Sequence, residues 1–363
     1  MEKISIGKII LNRYRVEEFI DSGGTKVIYK VQDQIMGVPL AMKVPRGDLE
    51  DDKDTLKTLK REANALASLQ HPNIVQFFGM QRLGSSFIMF ENFIDGPSLK
   101  DILKEQNKLS LEEALIYFKA LSGALGFAHA KGIVHCDVKP GNVLTDQGGK
   151  ILLTDFGIAR HSGSDVTSIL KGAGTTPYMA PEQILAHEVT AETDIYALGV
   201  TLFEMLTGKL PFSGNERDST THGTNKKERT EYEILNIDPP DLHKINRDFS
   251  EELGEAVVKA LAKDPAERYH TTQQFLSSVC LAVGTNENNI PDRIQASIAT
   301  PPPSSDISKT PVRYPDWTSP RLDRIKEQKP VILAAGSIAL LFIIYALIPK
   351  SVTDRKSTRL NSS

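Results

Sequence analysis

Two hydrophobic rhythms divide the chain. From residue 14 to about 95, short apolar runs that alternate with polar positions, such as "KVIYKVQD" (26–33), "PLAMKVP" (39–45) and "FIMFENF" (87–93), predict strands. One stretch there, "LKTLKREANALASL" (56–69), has helical spacing instead. From 96 to 283 the helical period dominates, in "LEEALIYFKALSGALGFAHA" (111–130) and "TDIYALGVTLFEMLTG" (193–208), with short strand-like segments at "NVLTD" and "KILLTDFG". The expected fold class is α+β: a small β-rich lobe (14–95) followed by a larger helical lobe (96–283).

After 283 the rhythm stops. Residues 284–330 are rich in Pro, Ser, Thr, Asn and Asp, as in "TPPPSSDISKTP", and read as a disordered linker. Then "VILAAGSIALLFIIYALI" (331–348) runs uncharged between two prolines, long enough to span a bilayer as one helix. Arg313, Arg321, Arg324, Lys326 and Lys329 precede it, against Lys350 after it, so the positive-inside rule places residues 1–330 in the cytoplasm of a single-pass cell-membrane protein. The final "DRKSTRLNSS" (354–363) matches the translation of a common sequencing-library adapter and is expected to be an artefact interrupting the natural gene.

Composition narrows the classes. With 363 residues, 40% hydrophobic and 25% charged, the chain can bury a substantial core. A net charge of -3, with basic residues spread along the chain, argues against a nucleic-acid partner. Two cysteines, Cys136 and Cys280, are too few for a disulfide framework or a zinc site, and the N-terminus lacks a secretory signal.

The candidate chemistry is charge placement. "FIDSGGTKVIYK" sets Gly23 and Gly24 between strands, where backbone N–H groups can approach phosphate oxygens; a plain hairpin turn uses the same two residues. Lys43 lies on the next strand between apolar neighbours, and Glu62 on the helical stretch is either its partner or part of a solvated face. "GIVHCDVKPGNVL" (132–144) gathers His135, Asp137, Lys139 and Asn142, and "TDFG" adds Asp155. Such oxygen donors and ammonium groups suit a metal-bound polyphosphate.

"HCDVKPGN", "DFG" and "APE", in that order and spacing, resemble the protein kinase family, from about Tyr14 to Leu281. With "RYRVEEFI", "PYMAPEQ" and "ALAKDPAERY" ahead of a linker and an apolar span, the chain is most similar to bacterial membrane-anchored, Hanks-type serine/threonine kinases. The resemblance implies a bilobal fold that uses ATP and Mg2+ to phosphorylate protein hydroxyls. It makes Asp137 the catalytic base and Lys139 the group that steadies the transferred phosphoryl; Asn142 and Asp155 become the magnesium ligands. It assigns Lys43 to the phosphates in a pair with Glu62, and residues Ile20, Asp21, Ser22, Gly23, Gly24, Thr25 and Lys26 to the loop over ATP. Ile28, Ala41 and Leu144 would enclose the adenine, the hinge backbone from Glu91 to Phe93 would bind its edge, and Phe90 would be the large gatekeeper. His135 becomes a packed residue beside Phe156, Leu66 and the helix of Asp194, and Glu182 with Arg268 an ion pair bracing the helical lobe.

Two positions depart from the family pattern. Asp21 and Lys26 stand where the first and third loop glycines fall, with Lys26 expected to point into water, and Cys136 stands where relatives carry Arg. The loop substitutions keep a second reading open, a nucleotide-binding pseudokinase scaffold. The "APE" segment disfavours a small-molecule kinase. Expected partners are protein substrates and a second copy of the chain for trans-autophosphorylation, with Thr167 and Ser168 as possible phosphosites.

Overall fold

The computed structural model describes residues 4–23, 26–45, 63–84, 86–156, 160–161 (backbone), 176–215 and 223–294, all within one compact unit. Gly24, Thr25, Glu62, Thr167, Ser168, the apolar segment 331–348 and the tail 354–363 lie outside the described residues. Among the described residues, no helix is long and apolar enough to cross a membrane.

Ten strands and eight helices carry the described fold. Strands β1 (Ile9–Ile10), β2 (Tyr14–Ser22), β3 (Lys26–Asp33), β4 (Val38–Pro45), β5 (Phe77–Leu83) and β6 (Ser86–Asn92) form one antiparallel sheet in the order β1-β2-β3-β4-β6-β5. Their period of two separates the faces. Tyr29, Val31, Leu40, Met42, Ile88 and Phe90 pack together with Tyr14 and Val16 on one side. Register places Ile28 opposite Lys43 and Ala41 opposite Glu91, so these four side chains share the other face. Register shifts in β2 between Val16 and Glu18 and between Phe19 and Asp21 mark bulges that bend its far end.

The remaining strands β7 (Ile133–Val134), β8 (Val143–Thr145), β9 (Ile151–Leu153) and β10 (Arg160–His161) make two short antiparallel pairs, β7 with β10 and β8 with β9. The helices are α1 (Leu99–Gln106), α2 (Leu111–His129), α3 (Pro181–Ile184), α4 (Ala191–Thr207), α5 (Lys226–Asn236), α6 (Leu242–Ile245), α7 (Glu251–Ala260) and α8 (Thr272–Ala282). Capping boxes start α1 and α2: the Asp101 N–H donates to Ser98 Oγ at 3.2 Å and the Glu113 N–H to Ser110 Oγ at 3.2 Å. Residues Leu121, Ala124 and Leu125 of α2 and Ile195, Leu198 and Leu202 of α4 are fully buried, which makes these two helices the centre of the lobe. Gly96, between β6 and α1, is required by close approach, since a Cβ there would fall 1.9 Å from the Thr145 carbonyl oxygen. That contact brings β8 up against the segment that leaves the sheet.

The linker begins later than its composition implies. Ile290 and Ile294 are buried against the helical lobe, Lys119 donates to the Ile290 carbonyl at 2.8 Å, and the Ile294 N–H donates to Gly149 O at 2.9 Å. Two isolated isoleucines in a polar stretch leave no periodicity to read, yet each finds an apolar seat, so residues 284–294 belong to the domain.

Candidate active site

Three strands and two segments carry the charged groups: β3, β4 and β6, and residues 135–142 and 154–156. Lys43, on β4, is almost wholly buried, and its Nζ donates to Thr154 Oγ1 at 2.9 Å and to Asp155 Oδ1 at 2.6 Å. It also pairs with Glu91 of β6, whose carboxylate accepts the Thr154 hydroxyl at 2.7 Å. Burial pulls the Lys43 ammonium down, but the carboxylates of Asp155 and Glu91 outweigh it and hold its pKa above the ordinary lysine value. Asp155 is raised by burial and lowered more by Lys43 and Lys26, so it stays an anion far below the usual carboxylate range.

Lys26 therefore does not simply point into water. It ends the glycine-bearing hairpin and pairs with Asp155. The expectation of a solvated Lys26 fails because a lysine side chain is long enough to cross from the start of β3 to a carboxylate that Lys43 alone does not neutralise.

The gatekeeper assignment is also corrected. Phe90 lies on the opposite face, its ring stacked on Tyr14 with centroids 4.0 Å apart. Glu91 is not in the hinge: it lies inside β6, opposite Ala41 on one side and Phe77 on the other, and its side chain enters the cleft. The strand ends at Asn92, so of the expected hinge residues only Phe93 lies beyond it, and Lys30 rests over the Phe93 ring at 4.7 Å. Ile28, Ala41 and Leu144 are half-buried, the first two on the sheet face that carries Lys43 and Glu91. Ile20, Asp21, Ser22 and Gly23 are exposed, and the Asp21 carboxylate accepts the Ser22 N–H at 2.7 Å.

The second cluster surrounds Asp137. Lys139 Nζ donates to both carboxylate oxygens, at 2.9 and 2.7 Å, and Asn142 Nδ2 donates to the Asp137 carbonyl at 2.7 Å and to Oδ2 at 3.0 Å. The Thr154 N–H donates to the Asn142 carbonyl at 2.9 Å, which ties this segment to the one bearing Asp155. With Nδ2 committed, Asn142 presents Oδ1, so Asn142 and Asp155 offer hard oxygen atoms of the kind that magnesium takes alongside phosphate and water. The donor set fits that ion.

Backbone strain is held in place by one buried residue that the sequence reading left as simple packing. Cys136 and Asp155 have φ of 64° and 62°, the left-handed region that costs a non-glycine residue roughly 1–2 kcal/mol. Asp194, fully buried on α4, accepts the His135 N–H and the Cys136 N–H at 2.8 Å each, and His129 Nε2 lies 2.7 Å from it. Gln183 holds the Cys136 carbonyl at 2.8 Å. An aspartate directly before the apolar run of α4 was the available signal. His135 packs on Phe156 with centroids 4.6 Å apart and reaches the Thr154 carbonyl at 3.0 Å, as a packed residue rather than a base. Glu182 and Arg268 form a buried two-pronged pair, both N–O distances 2.8 Å.

A family model described as "Protein kinase domain" matches residues 14–279. Serine/threonine-protein kinase PrkC of Bacillus subtilis is 32% identical over 285 residues, covering 78% of this chain and 42% of that protein. Serine/threonine-protein kinase PknA of Mycobacterium tuberculosis is 31% identical over 323 residues, covering 87% and 70%. The chain spans about two fifths of the length of PrkC and of its similar relatives in Clostridium and Lactococcus. The crystal structure of the Mycobacterium tuberculosis PknI kinase domain has the same fold, with a TM-score of 0.60 at 24% identity over 78% of this chain and all of that one.

Proposed function

Because this chain belongs to the protein kinase family, we propose that it is a serine/threonine protein kinase that transfers the γ-phosphoryl group of ATP to hydroxyls of protein substrates. The observation that carries this reading is the Asp137 carboxylate, gripped by Lys139 and Asn142, next to a segment whose Asp155 faces Lys43. Asp137 accepts the proton of the substrate hydroxyl. Lys139, now on that carboxylate, is placed to follow the phosphoryl group as charge moves toward the acceptor. Lys43 holds the α- and β-phosphates. Asn142 and Asp155 would hold magnesium, which would supply charge neutralisation at the phosphate oxygens.

The pseudokinase alternative rested on the altered glycine loop. Every charged group that the transfer needs is nonetheless present, and the similar relatives are named as kinases, so the catalytic reading stands. Purified protein with γ-labelled ATP and a general protein acceptor tests it. Label on serine or threonine that disappears in Asp137→Asn is expected; label unaffected by that change overturns the assignment.

The same proposal extends to location. Residues 331–348 anchor the protein in the cell membrane with the kinase domain in the cytoplasm, supported by the length of the apolar run and its basic flank. Neighbouring copies on such tethers then phosphorylate one another. Fractionation of the full chain against a chain stopped after Lys329 tests this: the shorter form is expected in the soluble fraction, and its retention on membranes would refute the anchor.

A further inference from the structure

The feature that neither the family pattern nor the relatives' names explain is the carboxylate of Glu91. It stands next to the last residue of β6, after the apolar run 87–90, where glutamate is disfavoured and a buried charge is costly unless paired. Its neighbours Phe90 and Asn92 continue the sheet, and its own backbone lies in register between Ala41 and Phe77. The side chain is thus directed into the cleft by the pleat alone. There it closes a triangle in which Lys43 donates to Glu91 and to Thr154 Oγ1, and Thr154 Oγ1 donates to Glu91. Only 12% of the Glu91 side chain is exposed.

We propose that Glu91 is a positioning residue for the phosphate-binding Lys43, a counterion built into the sheet itself; this rests on the kinase reading above. The family resemblance gives that task to Glu62, in a stretch whose sequence spacing is helical. Glu91 differs in kind. β4 and β6 are hydrogen-bonded neighbours, and the pairings Ala41 with Glu91 and Lys43 with Met89 set the distance between the ammonium and the carboxylate. A lysine held by its neighbouring strand and by Asp155 keeps one orientation. Thr154 completes the device: its hydroxyl accepts from Lys43 and donates to Glu91, so both charged groups are oriented by the residue that precedes the metal ligand.

The test combines kinetics with a thermal cycle on the full chain. Glu91→Gln keeps the shape and the acceptor for Thr154 but removes the charge. It is expected to lower kcat/KM for ATP by at least about tenfold, and Glu91→Asp, which keeps the charge on a shorter arm, recovers part of that loss. The cycle reads the pairing without activity. Glu91→Gln alone lowers Tm, whereas adding it to Lys43→Met raises Tm by about 3 °C, because that background strands a buried carboxylate. Equal activity of Glu91→Gln and wild type, or a Tm effect of the same sign in both backgrounds, overturns the inference. An inactive wild-type protein would instead sink the kinase reading, with the thermal cycle still deciding whether Glu91 is the partner of Lys43.

Discussion

Lys26, at the start of β3, forms an ion pair with Asp155, so one carboxylate joins the glycine-bearing hairpin to the segment that ends the helical lobe's β9. The same carboxylate receives Lys43 at 2.6 Å. A carboxylate proposed to bind magnesium and flanked by two ammonium groups is more than neutralised before any metal arrives, and a metal must displace at least one of them. Lys26→Ala removes one competitor without touching Lys43. The expected result is tighter Mn2+ binding in the absence of nucleotide, followed by electron paramagnetic resonance, and a lower Mg2+ concentration at half-maximal activity. Unchanged affinity in both assays would mean that Lys26 leaves Asp155 freely in solution.

Removal of the charges that stabilise the transferring group is expected to abolish turnover while leaving the fold. Lys43→Met, Asp137→Asn and Asp155→Asn should each reduce phosphorylation by at least about 10²-fold, since each takes away an interaction that strengthens in the transition state. Circular dichroism confirms folding. Asp155→Asn with full activity in magnesium would exclude Asp155 as a ligand.

How much of this was legible beforehand depends on distance along the chain. His135, Asp137, Lys139 and Asn142 sit within eight residues of one another, with Asp155 thirteen residues on, so the motifs that carry the family resemblance, and the roles it implies, are short and local. Phe90 and Glu91 were misread by a single position. In a strand that is enough to exchange the cleft face for the core face, and the correct parity emerges only once Ala41 is seen opposite Glu91. Lys26 on Asp155, and Asp194 beneath Cys136, join residues far apart in sequence, and no local pattern announces such contacts. The two isoleucines that draw 284–294 onto the domain were hidden for the opposite reason, since a polar composition outweighed two apolar positions.

Acid should loosen the small lobe through Arg13 and Asp33. Asp33 is fully buried; burial raises its pKa, but Arg13, with Nη2 to Oδ2 at 2.6 Å, and the N–H groups of Met36 and Ile35 lower it below the ordinary value. A carboxyl whose folded pKa is depressed contributes stability that is complete above its unfolded pKa, about 4, and is lost as pH falls through the folded one. The Tm difference between wild type and Asp33→Asn should therefore stay level above about pH 5 and shrink as the pH falls below about 4. A difference that stays constant as the pH falls would show that Asp33 acts through shape and not through its charge.

Cys136 bears on regulation. In relatives with arginine at this position, a guanidinium receives the phosphate of the loop that follows Asp155; a thiol has neither the charge nor the fork. Thr167 and Ser168 remain acceptors in sequence, and phosphorylation there has no arginine at 136 to engage. Thr167→Ala combined with Ser168→Ala is expected to leave kcat within about fivefold of wild type. A hundredfold fall would show that another basic group reads the phosphate.

Asp194 offers the sharpest separation of support from chemistry. Its two oxygens accept the backbone N–H groups of His135 and Cys136, which fixes the left-handed turn immediately before Asp137. Asparagine in its place turns one acceptor into a donor. Either the N–H of Cys136 or that of His135 then faces another N–H inside the core, a loss of about 1–3 kcal/mol for each buried group left unsatisfied. Part of that loss is relieved if residue 136 leaves the left-handed region, and Asp137 moves with it, since Lys139 and Asn142 grip a carboxylate whose backbone is no longer held. The expected outcome for Asp194→Asn is a lowered Tm together with a fall in kcat of at least about tenfold and a KM for ATP changed less than threefold, because Lys43 and its partners lie on other elements. Cys136→Gly in the same background tolerates the left-handed turn without a Cβ and should recover part of the activity. A fall in Tm with kcat intact would show that Asp137 keeps its place without Asp194, and that the buried carboxylate braces only the helix on which it stands.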